Sequence, residues 1–242
     1  SRYDRDVFRA FYKKKNLSKR ELYKLLKLDD LSKPICTFAL HAFRDANHLF
    51  GNLIFESFYD EFLEKSVFWV NGLRLGNPLD PNTTMGPMAS PRFVRVVRTQ
   101  IDAAIDEGAT PHIERFEKDD GEAYLTPQIL TNVNHQMDIM REENFGPVVG
   151  IMPVKGDVEA IRMMNDSHYG LTASLWTSNL ERAEQIGQKI ETGTIFMNRA
   201  DYVDPALCWT GRKDTGRSGA LSDLGYLNLT TPKSFHLKKL TT

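Results

Sequence analysis

Cysteine is nearly absent: Cys36 and Cys208 are the only two in 242 residues. That excludes a disulfide scaffold and a multi-cysteine zinc module, and it fits a reducing compartment. Long hydrophobic runs are missing too. The longest uncharged apolar stretches, Ser66–Val70 and Val148–Val154, fall far short of the roughly 20 residues a membrane-crossing helix requires. No G-x-G-x-x-G, G-x-x-x-x-G-K-[ST] or G-x-S-x-G occurs, which excludes the common phosphate loops and the nucleophile elbow. The six histidines show no metal-ligand spacing, and no basic strand interleaved with aromatics marks a nucleic-acid platform.

What is present is a globular composition, 41% hydrophobic and 26% charged. A chain of this length buries roughly 70–75% of its unfolded surface. The net charge of −1 conceals an asymmetry, because residues 1–33 hold eleven basic against five acidic side chains. That segment reads as an appended basic arm, either simply solvated or reaching an acidic protein face, RNA or anionic lipid. So few apolar residues suit a segment that orders on binding. The arm and the missing initiator Met make a mitochondrial address the expectation, with the cytoplasm as the alternative. Asp4 and Asp6 argue against an intact transit peptide.

Behind Ser18, the pattern Ser18-Lys19-Arg20-Glu21 fits a capping box. Pro34 opens a helix with Ile35, Phe38, Ala39, Ala42, Phe43 and Ala46 on one stripe. Leu53–Phe55 reads as a strand, and Ser57 as the cap of a helix carrying Tyr59, Phe62, Leu63, Val67 and Val70. Ser90-Pro91 starts another, with Val94, Val97, Ile101 and Ile105 inward and Gly108 as its stop. Glu117–Glu122 is an acidic loop. Strand Val148–Val154, a helix from Asp157 to Met164, strand Leu171–Thr177, helix Leu180–Ile190 and strand Thr194–Asn198 then alternate. Short turns between such elements imply parallel strands and right-handed crossovers, an α/β fold with a parallel sheet. The organisation is a basic helical extension over 1–33 and one α/β domain over 34–242.

Several specific words follow in order. Leu75-Gly76-Asn77-Pro78-Leu79-Asp80-Pro81 precedes Gly86-Pro87-Met88, then Arg141-Glu142-Glu143-Asn144-Phe145-Gly146-Pro147-Val148. Asn165-Asp166-Ser167-His168-Tyr169-Gly170-Leu171-Thr172-Ala173 and Gly193-Thr194-Ile195-Phe196-Met197-Asn198 come next, with Trp209-Thr210-Gly211 and Pro232-Lys233-Ser234-Phe235 last. In this order they resemble the catalytic domain of the NAD(P)-dependent aldehyde dehydrogenase superfamily, from about Leu53 to the C-terminus. The resemblance implies a catalytic domain plus the final oligomerisation strand, about half the family's usual length, with no counterpart of its cofactor domain.

The family's chemistry needs a cysteine thiolate, which adds to the aldehyde before hydride leaves for the nicotinamide. Counting back from Glu56 at the family's spacing reaches Ala46, within Phe43-Arg44-Asp45-Ala46-Asn47, and no cysteine lies between Cys36 and Cys208. Cys36 falls too early and reads as structural, and Cys208 as a packing residue. The family's general base precedes Leu-Gly-Gly. Glu21-Leu22 is followed instead by Tyr23-Lys24, so a capping role suits Glu21 better.

Glu143 and Phe145 match the family positions that hold the nicotinamide ribose and flank the ring. They are either a vestigial NAD(P) contact or a salt-bridging and a packing residue. With the adenosine and pyrophosphate sites lacking, the expectation is that the chain carries no cofactor. The tail Ser234-Phe235-His236-Leu237-Lys238 alternates as an edge or exchanged strand would, which makes it a protein-contact element. The expected function is a degenerate, inactive aldehyde-dehydrogenase-like protein, a structural or accessory subunit of a larger assembly. Two alternatives stand beside it. One is an NAD(P)-dependent half-chain enzyme, with Cys36 or Cys208 as nucleophile and a partner supplying the cofactor domain. The other is a regulatory module docking on an active paralogue through its last strand.

Overall fold

The computed structural model describes residues 52–199 and 203–239. The basic arm, the capping box at Ser18, the helix from Pro34, Cys36 and the Phe43–Asn47 stretch lie outside the described residues.

β1 (Asn52–Phe55) leads through a single 3-10 turn into helix α1 (Tyr59–Asn71). α2 (Pro91–Asp106) is followed by β2 (Thr110–Pro111), β3 (Gln128–Thr131), the short α3 (Asp138–Arg141) and β4 (Val148–Val154). The strand order is β1-β4-β3-β2. β4 pairs in parallel with both β1 and β3, and β2 joins β3 antiparallel at the edge. β4 is buried along its length except at Pro153. Being covered on both faces explains why it reads as an unbroken apolar run.

Period-2 alternation sorts the strand residues between two helical layers. Ile54, Ile129, Val149 and Ile151 pack with Val70 of α1 and its partly buried Phe62 and Leu63. Their neighbours Leu53, Phe55, Leu130, Val148 and Met152 join Val94, Val97, Ile101 and Ala104 of α2. The sheet is thus sandwiched by α1 on one side and α2 on the other.

The second half holds α4 (Asp157–Asn165), β5 (Tyr169–Gly170), β6 (Thr172–Leu175), α5 (Leu180–Gly187), β7 (Thr194–Met197), β8 (Arg212–Lys213) and α6 (Ser222–Asn228). β6 and β7 pair in parallel across the α5 crossover, as alternation implies. Among the described residues, however, they form a ribbon of their own, and β4 pairs with β1 and β3. β5 and β8 form an antiparallel ribbon.

Details depart from the sequence expectations for local reasons. Gly156, not Asp157, is the N-cap of α4, and Asp157 instead holds Arg182 of α5 through two bonds of 2.8 and 2.9 Å. α5 stops at Gly187, and Leu180 is exposed at its start. On α2 the inward stripe ends at Ala104 rather than Ile105. Gly108, with φ +105°, closes that helix as expected. Residues 229–239 form no strand, and Phe235 and Leu237 are exposed. Among the described residues no helix is long and apolar enough to cross a membrane.

Candidate functional site

Glu143 and Phe145 occupy the link between α3 and β4. Glu142 is already extended, at φ −95° and ψ 141°. Along the link, Glu143 is exposed, Asn144 buried and Phe145 exposed again, so the first and third side chains face the open side. Asn144 is 6% exposed, and its Oδ1 accepts from the Gly146 N–H at 3.2 Å. That local bond replaces a backbone turn and fixes the link's path.

Gly146 is where the link presses on α2. A Cβ there would lie 2.5 Å from a methyl of the buried Val97, so only glycine allows the approach. The Pro147 carbonyl accepts from Gln128 N–H at 2.8 Å, which ties the link to β3. The Phe145 ring then meets Phe93 of α2, centroids 5.9 Å apart and planes at 56°. The result is a rigid lip at the end of the sheet where β4 begins. β1, parallel to β4, begins at that same end.

The lip's donor set suits one end of a nicotinamide nucleotide. An exposed carboxylate can accept from vicinal ribose hydroxyls, and a partly exposed aromatic can flank a flat heteroaromatic ring. The position that spacing assigns to a nucleophile, near Ala46, precedes β1 and lies outside the described residues. Cys208 is half-buried in the segment after β7, its Sγ against the backbone of Gly219. It therefore stands on a different element from Glu143 and Phe145.

Two of the remaining sequence words contribute to the scaffold through their asparagines. Asn165 donates to Lys189 O and accepts from Glu191 N–H, both at 2.8 Å. Asn198, at φ +54°, exchanges two bonds with the backbone of Thr177 and closes the β6–β7 ribbon. Lys213 Nζ reaches Asn165 O at 2.6 Å, Ser167 O at 3.0 Å and a Glu191 carboxylate oxygen at 3.0 Å. Lys213→Met keeps the stem and removes the ammonium. It should cost about 2 kcal/mol and lower the thermal midpoint by roughly 4–8 °C. Calorimetry checks this, and an unchanged midpoint would show that the ammonium holds nothing.

The described histidines are engaged or surface groups. His112 Nε2 lies 2.7 Å from Thr131 Oγ1, and burial lowers its pKa. His135 pairs with Asp166 at 3.0 Å, and His168 lies 3.3 Å from Arg141. No group of residues that could hold a metal ion occurs among the described residues. Two contributors escaped sequence reasoning. Asn144 stood inside a quoted word without a role, and Phe93 is the one aromatic of α2, just off its buried stripe.

A parallel α/β sheet covered by helices on both faces is the class of fold defined here. The chain belongs to the aldehyde dehydrogenase family, whose model matches residues 52–235. It is 32% identical over 181 residues to a succinate-semialdehyde dehydrogenase (NADP+) of Deinococcus radiodurans, covering 75% of this chain and 38% of that protein. It is 36% identical over 166 residues to the benzaldehyde dehydrogenase YfmT of Bacillus subtilis, covering 68% of this chain and 33% of that one. Among solved structures, betaine aldehyde dehydrogenase from Staphylococcus aureus in complex with NAD+ superposes with a TM-score of 0.68 at 30% identity, over 73% of this chain and 36% of that one. The chain thus spans little more than a third of the length of the relatives it matches.

These matches correct one expectation, that of a chain with no cofactor. The S. aureus structure holds NAD+, and the D. radiodurans relative is named for NADP+. The family is a nicotinamide-dependent one, and the residues of the lip fit that group. The expectation set a vestigial nicotinamide contact at Glu143 and Phe145 against the adenosine and pyrophosphate contacts and gave the latter more weight, whereas the matched relatives bind the whole dinucleotide.

Proposed function

We propose that this chain is an aldehyde-dehydrogenase-family catalytic domain that takes the nicotinamide-ribose end of NAD(P)+ on its lip and serves as an accessory subunit without thiolate chemistry of its own. The observation that carries the reading is the combination of an ordered Glu143-Asn144-Phe145 lip with a sequence lacking any cysteine between Cys36 and Cys208. Glu143 would hold the ribose hydroxyls and Phe145 would limit the ring's movement. NAD(P)+ supplies a hydride acceptor when bound. What this chain's residues do is bind and orient that end; among the described residues the lip itself carries no thiol to form the adduct from which hydride would depart.

The accessory role draws support from the C-terminal surface. Leu224, Tyr226, Leu227 and Leu229 on and after α6, with Phe235 and Leu237, are all exposed. An apolar surface of this density invites a protein partner. The basic arm is a second contact, toward an acidic face.

The test is binding of nicotinamide mononucleotide, which carries only the end the lip would hold, measured by calorimetry on the full chain. Saturable binding is expected, and Glu143→Ala should weaken it about tenfold or more. Absence of binding in the unmodified chain would overturn the nicotinamide reading. The inactive reading fails if the purified chain reduces NAD(P)+ in the presence of aldehyde and Cys36→Ala or Cys208→Ala abolishes that rate. Names of active enzymes among the relatives favour carrying out that assay beside the first.

A further inference from the structure

We propose that Phe93, at the start of α2, is a positioning residue that fixes the Phe145 ring and so aims the nicotinamide end of the bound nucleotide. The inference rests on the nicotinamide reading above and extends the site to a second element.

Three observations carry it. First, Phe93 lies off the buried stripe of α2, which runs through Val94, Val97, Ile101 and Ala104. Its ring is 37% exposed, so filling the core does not account for a large apolar side chain there. Second, what it does meet is Phe145, itself 39% exposed, at 5.9 Å and a tilt of 56°. That separation lies within the range where aromatic rings attract beyond their buried area. Third, the two backbones are held at fixed spacing. Gly146 sits directly on Val97, one turn beyond Phe93, and within the link Asn144 Oδ1 accepts from the Gly146 N–H, which fixes its local turn. The rings therefore meet through a rigid frame, not through two flexible loops.

A phenylalanine with two side-chain torsions on a surface link can swing among rotamers. Phe93 closes off part of that range and leaves the remainder of the Phe145 surface for a flat ligand ring. A preorganised wall binds more tightly because less rotamer freedom is lost on binding. Phe93 touches no reacting atom, so its effect passes entirely through Phe145.

The test compares Phe93→Leu, which keeps bulk and loses the ring, with Phe93→Tyr, which keeps the ring. Nicotinamide mononucleotide is titrated into each full-length variant, and the Phe145 ring protons are followed by NMR in the absence of nucleotide. Expected for Phe93→Leu are binding weakened about three- to tenfold, loss of the ring-current shift at Phe145, and an unchanged thermal midpoint. Phe93→Tyr should restore both binding and shift, a rescue that a merely structural role would not require. Unchanged affinity in Phe93→Leu, or an unchanged Phe145 shift, overturns the proposal. Failure of the unmodified chain to bind the mononucleotide sinks the nicotinamide reading itself, whereas normal binding with an indifferent Phe93→Leu sinks only the role of Phe93.

Discussion

Gly193→Ala is expected to be among the most destabilising single changes in this chain, at about 3 kcal/mol or more. Gly193 enters β7, and its N–H donates to Gly170 O at 3.0 Å. A Cβ added there would lie 1.6 Å from the carbonyl oxygen of Thr210 and 2.5 Å from its carbon. The obstruction is backbone, so no rotamer change relieves it. One of two segments must move, and both are committed: Gly193 to the strand beside it, and Thr210 to a turn whose next residues lead into β8. With roughly 2–4 °C per kcal/mol for a domain of this size, the thermal midpoint should fall by roughly 10 °C. Gly156→Ala is the matched control. Nothing lies within 4 Å of a Cβ at that position, and its φ of 177° is ordinary extended backbone. Its effect should stay within about 1 kcal/mol. Equal losses for the two would mean that Gly193 gives way locally, and that the tight junction of the family words is not a packing constraint.

That junction shows what sequence reasoning can and cannot reach. β4 was legible to its last residue because a strand buried on both faces has to be apolar throughout. α2 was legible because Pro91, a helical stripe and Gly108 agree on its bounds. β3 was not, because two of its four residues, Gln128 and Thr131, are polar and yet buried. Gln128 achieves this by turning its amide back on its own neighbourhood, accepting from the N–H groups of His112 and Ile113 and donating to Ile113 O. No hydrophobic pattern can announce a strand of that kind. Sheet partition was also out of reach. Whether β6 sits beside β4 or founds its own ribbon depends on pairings far apart in sequence, and alternation alone reads the same in both cases. For the candidate site, Glu143 and Phe145 are proposed through resemblance, whereas the Phe93–Phe145 contact depends on how α2 is rotated about its axis and on how closely Gly146 approaches Val97.

Removing Asp119 carries the other large expected effect, and it gives the acidic loop a structural purpose. Sequence marks Glu117–Glu122 only as a charge run, yet Asp119 is buried and saturated with donors. Arg98 reaches Oδ1 at 2.6 Å, Gly121 N–H donates to the same oxygen at 3.1 Å, and Thr126 N–H donates to Oδ2 at 2.8 Å. Arg115 stands 3.5 Å away and also donates to the Asp119 carbonyl at 2.9 Å. Asp119→Ala would strand Arg98, whose Nε is already buried without a partner among the described residues, together with two backbone N–H groups. Arg98 is about a third exposed, which moderates the penalty, and a loss of about 3 kcal/mol is expected. The loss should depend on pH with a definite sign. Burial, the largest single influence, pushes the carboxyl pKa up, but the Thr126 and Arg98 hydrogen bonds and the Arg98 charge together hold it below its ordinary 3.8. A depressed folded pKa means the folded state binds its proton less readily than the unfolded chain. The stabilisation is therefore fully present above the ordinary value and fades as pH falls through the lower, folded one. Denaturant unfolding should show the full gap between the unmodified chain and Asp119→Ala near neutrality, narrowing only in acid below about pH 4. A gap that stayed constant to the lowest accessible pH would assign the loss to packing, and the Asp119 charge would then not be what fastens this loop to α2.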